Sequence, residues 1–215
     1  KARRALADDR PDLCVSINVE DLKRVYDQMA EEAGFGFSFL TQLIGVEAHN
    51  GKIEHVVCAG KSGLFAVKAR VYIDATGDGD LAAWAGTEFE KGDAQGRMMP
   101  GTLCSLWANI DWKRANALLQ HQKFRLEDAF CDKIFTQEDW HLPGIWRVGP
   151  GMGGGNIGHV FGVDATDERS LTEALLLGRK IIEEYEIYYR QYVQNGFEAM
   201  YLAGTGMLPG IRESR

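Results

Sequence analysis

The run Thr76-Gly77-Asp78-Gly79 brings a hydroxyl, two glycines and a carboxylate to one sharp bend. An apolar β-like run, Val71-Tyr-Ile-Asp-Ala75, leads into it, and small residues from Asp80 to Ala85 leave it at helical spacing before Gly86. A strand, a glycine-rich turn and a helix start leave backbone N–H groups unpaired at the turn, and the helix dipole adds partial positive charge there. The chemistry this permits is anion binding, phosphate above all. Gly77 lets a ligand come close to the backbone. Thr76 offers a hydroxyl and an amide, and Asp80 is placed to cap the helix. The same residues also fit a plain strand-to-helix turn with an aspartate cap.

Other residues offer competing chemistry. Asp74, Thr76, Asp78 and Gly79 match the first half of a calcium loop, but its twelfth position is Ala85, which has no carboxylate. Gly149-Pro-Gly-Met-Gly-Gly154 has GxGxxG spacing, yet Asn156 to Val163 has no helical pattern behind it. A pyrophosphate cradle needs that helix, so the segment reads as a flexible or substrate-facing loop. His159, between that loop and a strand-like run, is a candidate general acid or donor to an anionic substrate. Arg147 and Arg212 flank loops and suit a carboxylate. A structural histidine and ordinary ion-pair arginines are the plainer readings. Cys14, Cys58, Cys104 and Cys131 are too dispersed for zinc or an iron–sulfur cluster, so no metal site is read. Four reduced thiols agree with a cytoplasmic setting.

Composition narrows the class. The chain has 215 residues, a net charge of −7 and a pI near 5.3. An acidic balance argues against nucleic acid as partner, and no apolar run is long enough to cross a membrane. Lys1 to Arg10 lacks the apolar stretch of a secretory signal. A small-molecule substrate is the expected partner, with oligomerisation left open.

The elements that must position these residues follow from periodicity. Leu22, Val25, Tyr26, Met29 and Ala33 share a helix face over 19–33, closed by Gly34. Strands are predicted over 35–44, 45–48, 52–59, 64–67 and 70–73, with Asn50-Gly51 as a hairpin turn. A strand over 102–110, a helix over 112–125, an irregular stretch over 140–155 and a strand over 156–163 come next. Ser170-Leu-Thr-Glu173 reads as a capping box for a long helix that Asn195-Gly196 ends.

Helix, Gly34, a meander with Asn50-Gly51 and Lys61-Ser62-Gly63, then Val71 to Asp80, together resemble the FAD-dependent oxidoreductases of the glutathione-reductase-like superfamily. The group closest in pattern comprises bacterial flavoproteins related to fumarate reductase flavoproteins and the heterodisulfide reductase A subunit. Asp164 to Ala174, Gly178-Arg179 and Gly210 to Arg215 are similar to the same group, so the resemblance covers nearly the whole chain. It implies FAD as cofactor and hydride transfer between the flavin and a small organic substrate. It places Ala75, Thr76, Gly77 and Asp78 beside the pyrophosphate and ribose, and Leu43 and Ile44 on the adenine side. It implies an α/β fold, α+β-like in this piece: a partial FAD domain over 1–86, a β-rich substrate or cap domain over 87–165, and a returning long helix over 166–215. The family's βαβ unit with GxGxxG is not in the sequence, which therefore reads as an internal piece with little activity alone. A non-catalytic ligand-binding or interaction module with a β-rich core is the alternative.

Overall fold

A computed structural model describes residues 18–115, 124–141, 144–212 and 214–215. The chain forms two compact units, one of residues 1–26 and 99–212, the other of 27–98 and 213–215. The sequence-based boundary at 86 lies inside the second of these, and the one at 165 inside the first. Helix α1 (Val19–Ala33) passes from one to the other. The Asn18 carboxamide oxygen opens it by accepting the Glu20 and Asp21 amides at 3.0 and 3.3 Å. None of its apolar residues is buried: Val19, Tyr26 and Met29 are exposed, and Leu22 and Val25 are half-buried.

In the unit of residues 27–98 and 213–215, β1 (Gln42–His49), β2 (Lys52–Gly60) and β3 (Gly63–Val67) form an antiparallel meander in that order. Asn50 and Gly51 both take positive φ, 52° and 73°, the geometry whose twist matches a two-residue hairpin. Helix α2 (Asp80–Trp84) packs on β1. One predicted strand, over 35–44, keeps only 42–44, in β1, and another, over 70–73, does not form among the described residues. Residues 35–41 are irregular, with Leu40 at φ 53°, and Phe37 meets Phe35 and Phe39 edge to face. Residues 70–73 have no ladder partner among the described residues, and Val71 and Ile73 are 75% and 87% exposed. β-propensity alone does not make a strand without a neighbour to pair with.

The unit of residues 1–26 and 99–212 holds most of the core. Its main sheet has the order β6-β7-β5-β9, built from β5 (Ser105–Ala108), β6 (Gly144–Gly149), β7 (Met152–Asn156) and β9 (Tyr201–Thr205). A smaller pair joins β4 (Gly101–Thr102) to β8 (His159–Val160). Helix α3 (Trp112–Ala115) starts the predicted helix 112–125, of which 116–123 lie outside the described residues. Arg125 is left-handed at φ 51° and precedes a separate α4 (Leu126–Cys131), so no single helix reaches Arg125. Helix α5 (Glu168–Tyr188), continued by a π-helical turn (Tyr189–Val193), packs on β8 of the smaller pair. Asp167 caps α5 by accepting the Arg169 amide at 2.8 Å. The expected capping serine, Ser170, instead accepts the Asp164 amide with its hydroxyl. Trp107 and Phe197 are fully enclosed, and truncating either to alanine costs about 3–5 kcal/mol.

The glycine run over 149–155 is a strand pair and not a flexible loop. A methyl group on Gly153 would meet Ile145 Cγ2 at 2.6 Å and Ile110 Cδ1 at 2.7 Å, and one on Gly155 would meet Ser105 Oγ at 2.5 Å. These glycines are there because side chains of neighbouring strands fill the space a Cβ would take.

Candidate cofactor turn and histidine cluster

Three aspartates in a turn expected to bind an anion pose an electrostatic conflict. The fold resolves it by turning each carboxylate onto the protein. Asp74 Oδ1 accepts the Thr76 amide at 3.0 Å and the Thr76 hydroxyl at 2.8 Å, while Oδ2 accepts the Ala82 amide at 2.9 Å. Partial burial opposes ionisation of Asp74, but these hydrogen bonds outweigh it and hold the carboxyl below its ordinary 3.8. Asp78 accepts the Ser214 hydroxyl at 2.5 Å. Asp80 is paired with Arg215 at 2.6 Å, and the same guanidinium donates to the Asp78 carbonyl at 3.0 Å. Arg215 also lies over the Phe89 ring, 5.4 Å from its centre.

Two sequence expectations change here. Asp74, and not Asp80, ties down the start of α2; Asp80 contributes no side-chain cap. Thr76 presents neither its amide nor its hydroxyl outward, since the hydroxyl also accepts the Asp80 amide at 2.9 Å. The outward donors are the amides of Gly77, Asp78 and Gly79, which have no acceptor among the described residues. Gly77 and Gly79 take φ of 97° and 68°, and a Cβ on either would meet nothing within 4 Å. Glycine is needed for the backbone conformation, and the space beside it is open. On β1, the register skips Ile44 between Leu43 and Gly45, so a bulge takes the Ile44 backbone out of the ladder. Unpaired amides around an open turn, with the carboxylates withdrawn, fit a pyrophosphate.

The other cluster belongs to the sheet-bearing unit. Asp139, on the segment after α4, is 6% exposed and sits between two imidazoles. Its Oδ1 lies 2.7 Å from His141 Nδ1 and its Oδ2 lies 2.8 Å from His159 Nδ1. The amides of His141 and His159 also donate to it, at 3.0 and 3.1 Å. Burial raises the Asp139 carboxyl, and these donors bring it below its ordinary value. Next to it, Glu184 accepts the Thr136 amide at 3.0 Å and the Thr136 hydroxyl, and Tyr185 carries a phenol pushed up by burial and then by the Asp139 charge. His159, Asp139, Glu184 and Tyr185 line one shallow depression.

Of the sequence candidates, only His159 belongs to this cluster. Arg147, on β6, and Arg212 are exposed, and neither lines the depression. Sequence reasoning missed Asp139, His141 and Arg215. The signal for the first two was the Asp139-Trp-His141 spacing, but nothing local announces that His159 joins it across 20 residues. The three described cysteines, Cys58, Cys104 and Cys131, are free thiols. No helix among the described residues is long and apolar enough to cross a membrane.

No curated protein and no solved structure matches the chain. The model of one family, FAD dependent oxidoreductase, matches residues 2–215. That match, across nearly every residue and including a turn whose free amides suit a pyrophosphate, does not favour the non-catalytic reading. The chain belongs to the FAD dependent oxidoreductase family, and its cofactor is FAD.

Proposed function

We propose that this chain serves hydride transfer between a flavin and a small organic substrate, as in the glutathione-reductase-like flavoproteins. FAD, when bound, supplies the redox chemistry at its isoalloxazine ring. The chain's own residues bind and orient. Gly77 and Asp78 donate backbone amides to the pyrophosphate, Ala75 and Thr76 shape the turn beside the ribose, and Leu43 and Ile44 face the adenine. The observation that carries this reading is the set of unpaired amides at Gly77, Asp78 and Gly79 beside three aspartates whose carboxylates are each engaged by protein donors. On the substrate side, Arg147 and Arg212 are proposed to attract a carboxylate, and His159 to donate a hydrogen bond to it.

FAD titration of the full chain, followed by quenching of flavin fluorescence, tests the cofactor site. Gly77→Val puts an L side chain at φ 97° and fills the space in front of the amides. It is expected to weaken FAD about tenfold, or 1.4 kcal/mol. Equal affinity of the variant and the wild type removes the turn from the site. Anaerobic bleaching of bound flavin by small alcohols, hydroxy acids or amines tests the hydride step. Bound flavin that none of them bleaches overturns it.

A further inference from the structure

We propose that Asp139, His141 and His159 form a binding site for one divalent transition-metal ion of the zinc type. Two imidazoles and a carboxylate are a donor set suited to Zn²⁺, Co²⁺, Ni²⁺ or Fe²⁺ and poorly suited to Ca²⁺ or Mg²⁺. One ligand atom from each of the three residues lies within 4.8 Å of the other two. A tetrahedral ion with bonds of 2.0–2.1 Å needs its ligand atoms roughly 3.3 Å apart. The Nδ1 to carboxylate distances of 2.7 and 2.8 Å must therefore open by about half an ångström. His141, whose side chain is 67% exposed, is free to make its part of that adjustment, and a small rotation of the His159 ring, 27% exposed, makes the other against the enclosed Asp139.

Charge points the same way. Asp139 and Glu184 place two carboxylates on the depression, and among the described residues no lysine or arginine lines it. The hydrogen bonds that now join the three residues carry only neutral or singly charged donors, so a dication balances the site better. Supporting contacts are already built: the His141 and His159 amides hold the carboxylate, and Gln137 donates to the His159 carbonyl at 3.0 Å. Coordination through Nδ1 keeps each neutral ring's proton on Nε2, so His159 keeps an outward donor for a substrate anion. The ion would tie the segment after α4 to β8, and this holds whether or not flavin is bound.

The test is calorimetric titration of Zn²⁺ into the chelator-treated full chain, with Co²⁺ titrated in parallel and read by its visible d–d bands. One equivalent is expected, with tetrahedral cobalt bands and a rise in melting temperature. His141→Ala and His159→Ala should each weaken the ion at least tenfold; His141 is exposed enough that its variant keeps the fold. In the meander, Glu47 stands 3.3 Å from His49 and 3.2 Å from His55, a second place for an adventitious ion. Binding that His141→Ala leaves unchanged, or a chain that takes up no cobalt, overturns the proposal.

Discussion

Replacing Asp74 tests whether one carboxylate organises the cofactor turn. Its two oxygens accept three hydrogen bonds, from the Thr76 amide, the Thr76 hydroxyl and the Ala82 amide, at 2.8–3.0 Å. Each charge-assisted bond contributes about 1.5 kcal/mol where it is well shielded. Ala75, Thr76 and Gly77 are exposed here, so water replaces part of that, and helix-cap substitutions span about 0.5–2 kcal/mol. The expected loss for Asp74→Ala is about 2 kcal/mol, or a melting temperature lowered by about 4–8 °C for a chain of this length. Asp74→Asn keeps one acceptor oxygen and should lose about half as much. The folded carboxyl titrates below its ordinary 3.8. Its stabilisation is therefore complete above 3.8 and disappears as pH falls through the lower folded value. The gap between wild type and Asp74→Ala should be full near neutral pH and close in acid. Thermal unfolding by circular dichroism at several pH values measures the gap, and deuterium uptake over residues 71–86 locates it. A gap under about 0.5 kcal/mol, or one that stays constant into acid, refutes the reasoning.

Two further substitutions probe other contacts. Arg215→Ala removes the partner of Asp80 and the donor to the Asp78 carbonyl, leaving the Asp80 charge uncompensated beside the proposed pyrophosphate donors. FAD affinity should fall about fivefold, by flavin fluorescence, and partly recover in Arg215→Lys, which restores the charge but not the forked geometry. Gly158→Ala drives a methyl to 2.1 Å from Ile181 Cγ2 at a φ of 75°, and should cost about 3 kcal/mol in chemical denaturation. An unchanged midpoint there would mean that α5 shifts freely, against its buried packing.

Local chemistry alone specified much of this chain. The extent of α1, the Asn50-Gly51 hairpin, the three-stranded meander and the long α5 all follow from periodicity and turn residues, which act over a few positions. So does the bend at Thr76-Gly77, since φ of 97° at Gly77 is a demand that glycine meets by itself. What failed depended on distant neighbours. Val71 to Ile73 has strand composition without a strand beside it, and the glycines at 153–155 looked flexible although packed side chains of Ile110, Ile145 and Ser105 require them. The site chemistry divides along the same line. The sequence pointed to a glycine-rich strand-to-helix turn and to the family that carries it. Only the tertiary structure decided that Asp74, Asp78 and Asp80 face the protein, that Arg215 pairs with Asp80 at the turn, and that His159 meets Asp139 and His141. Hydrogen bonds and ion pairs depend on distances of a few ångströms, and sequence separation carries no information about such distances once the chain has folded back on itself.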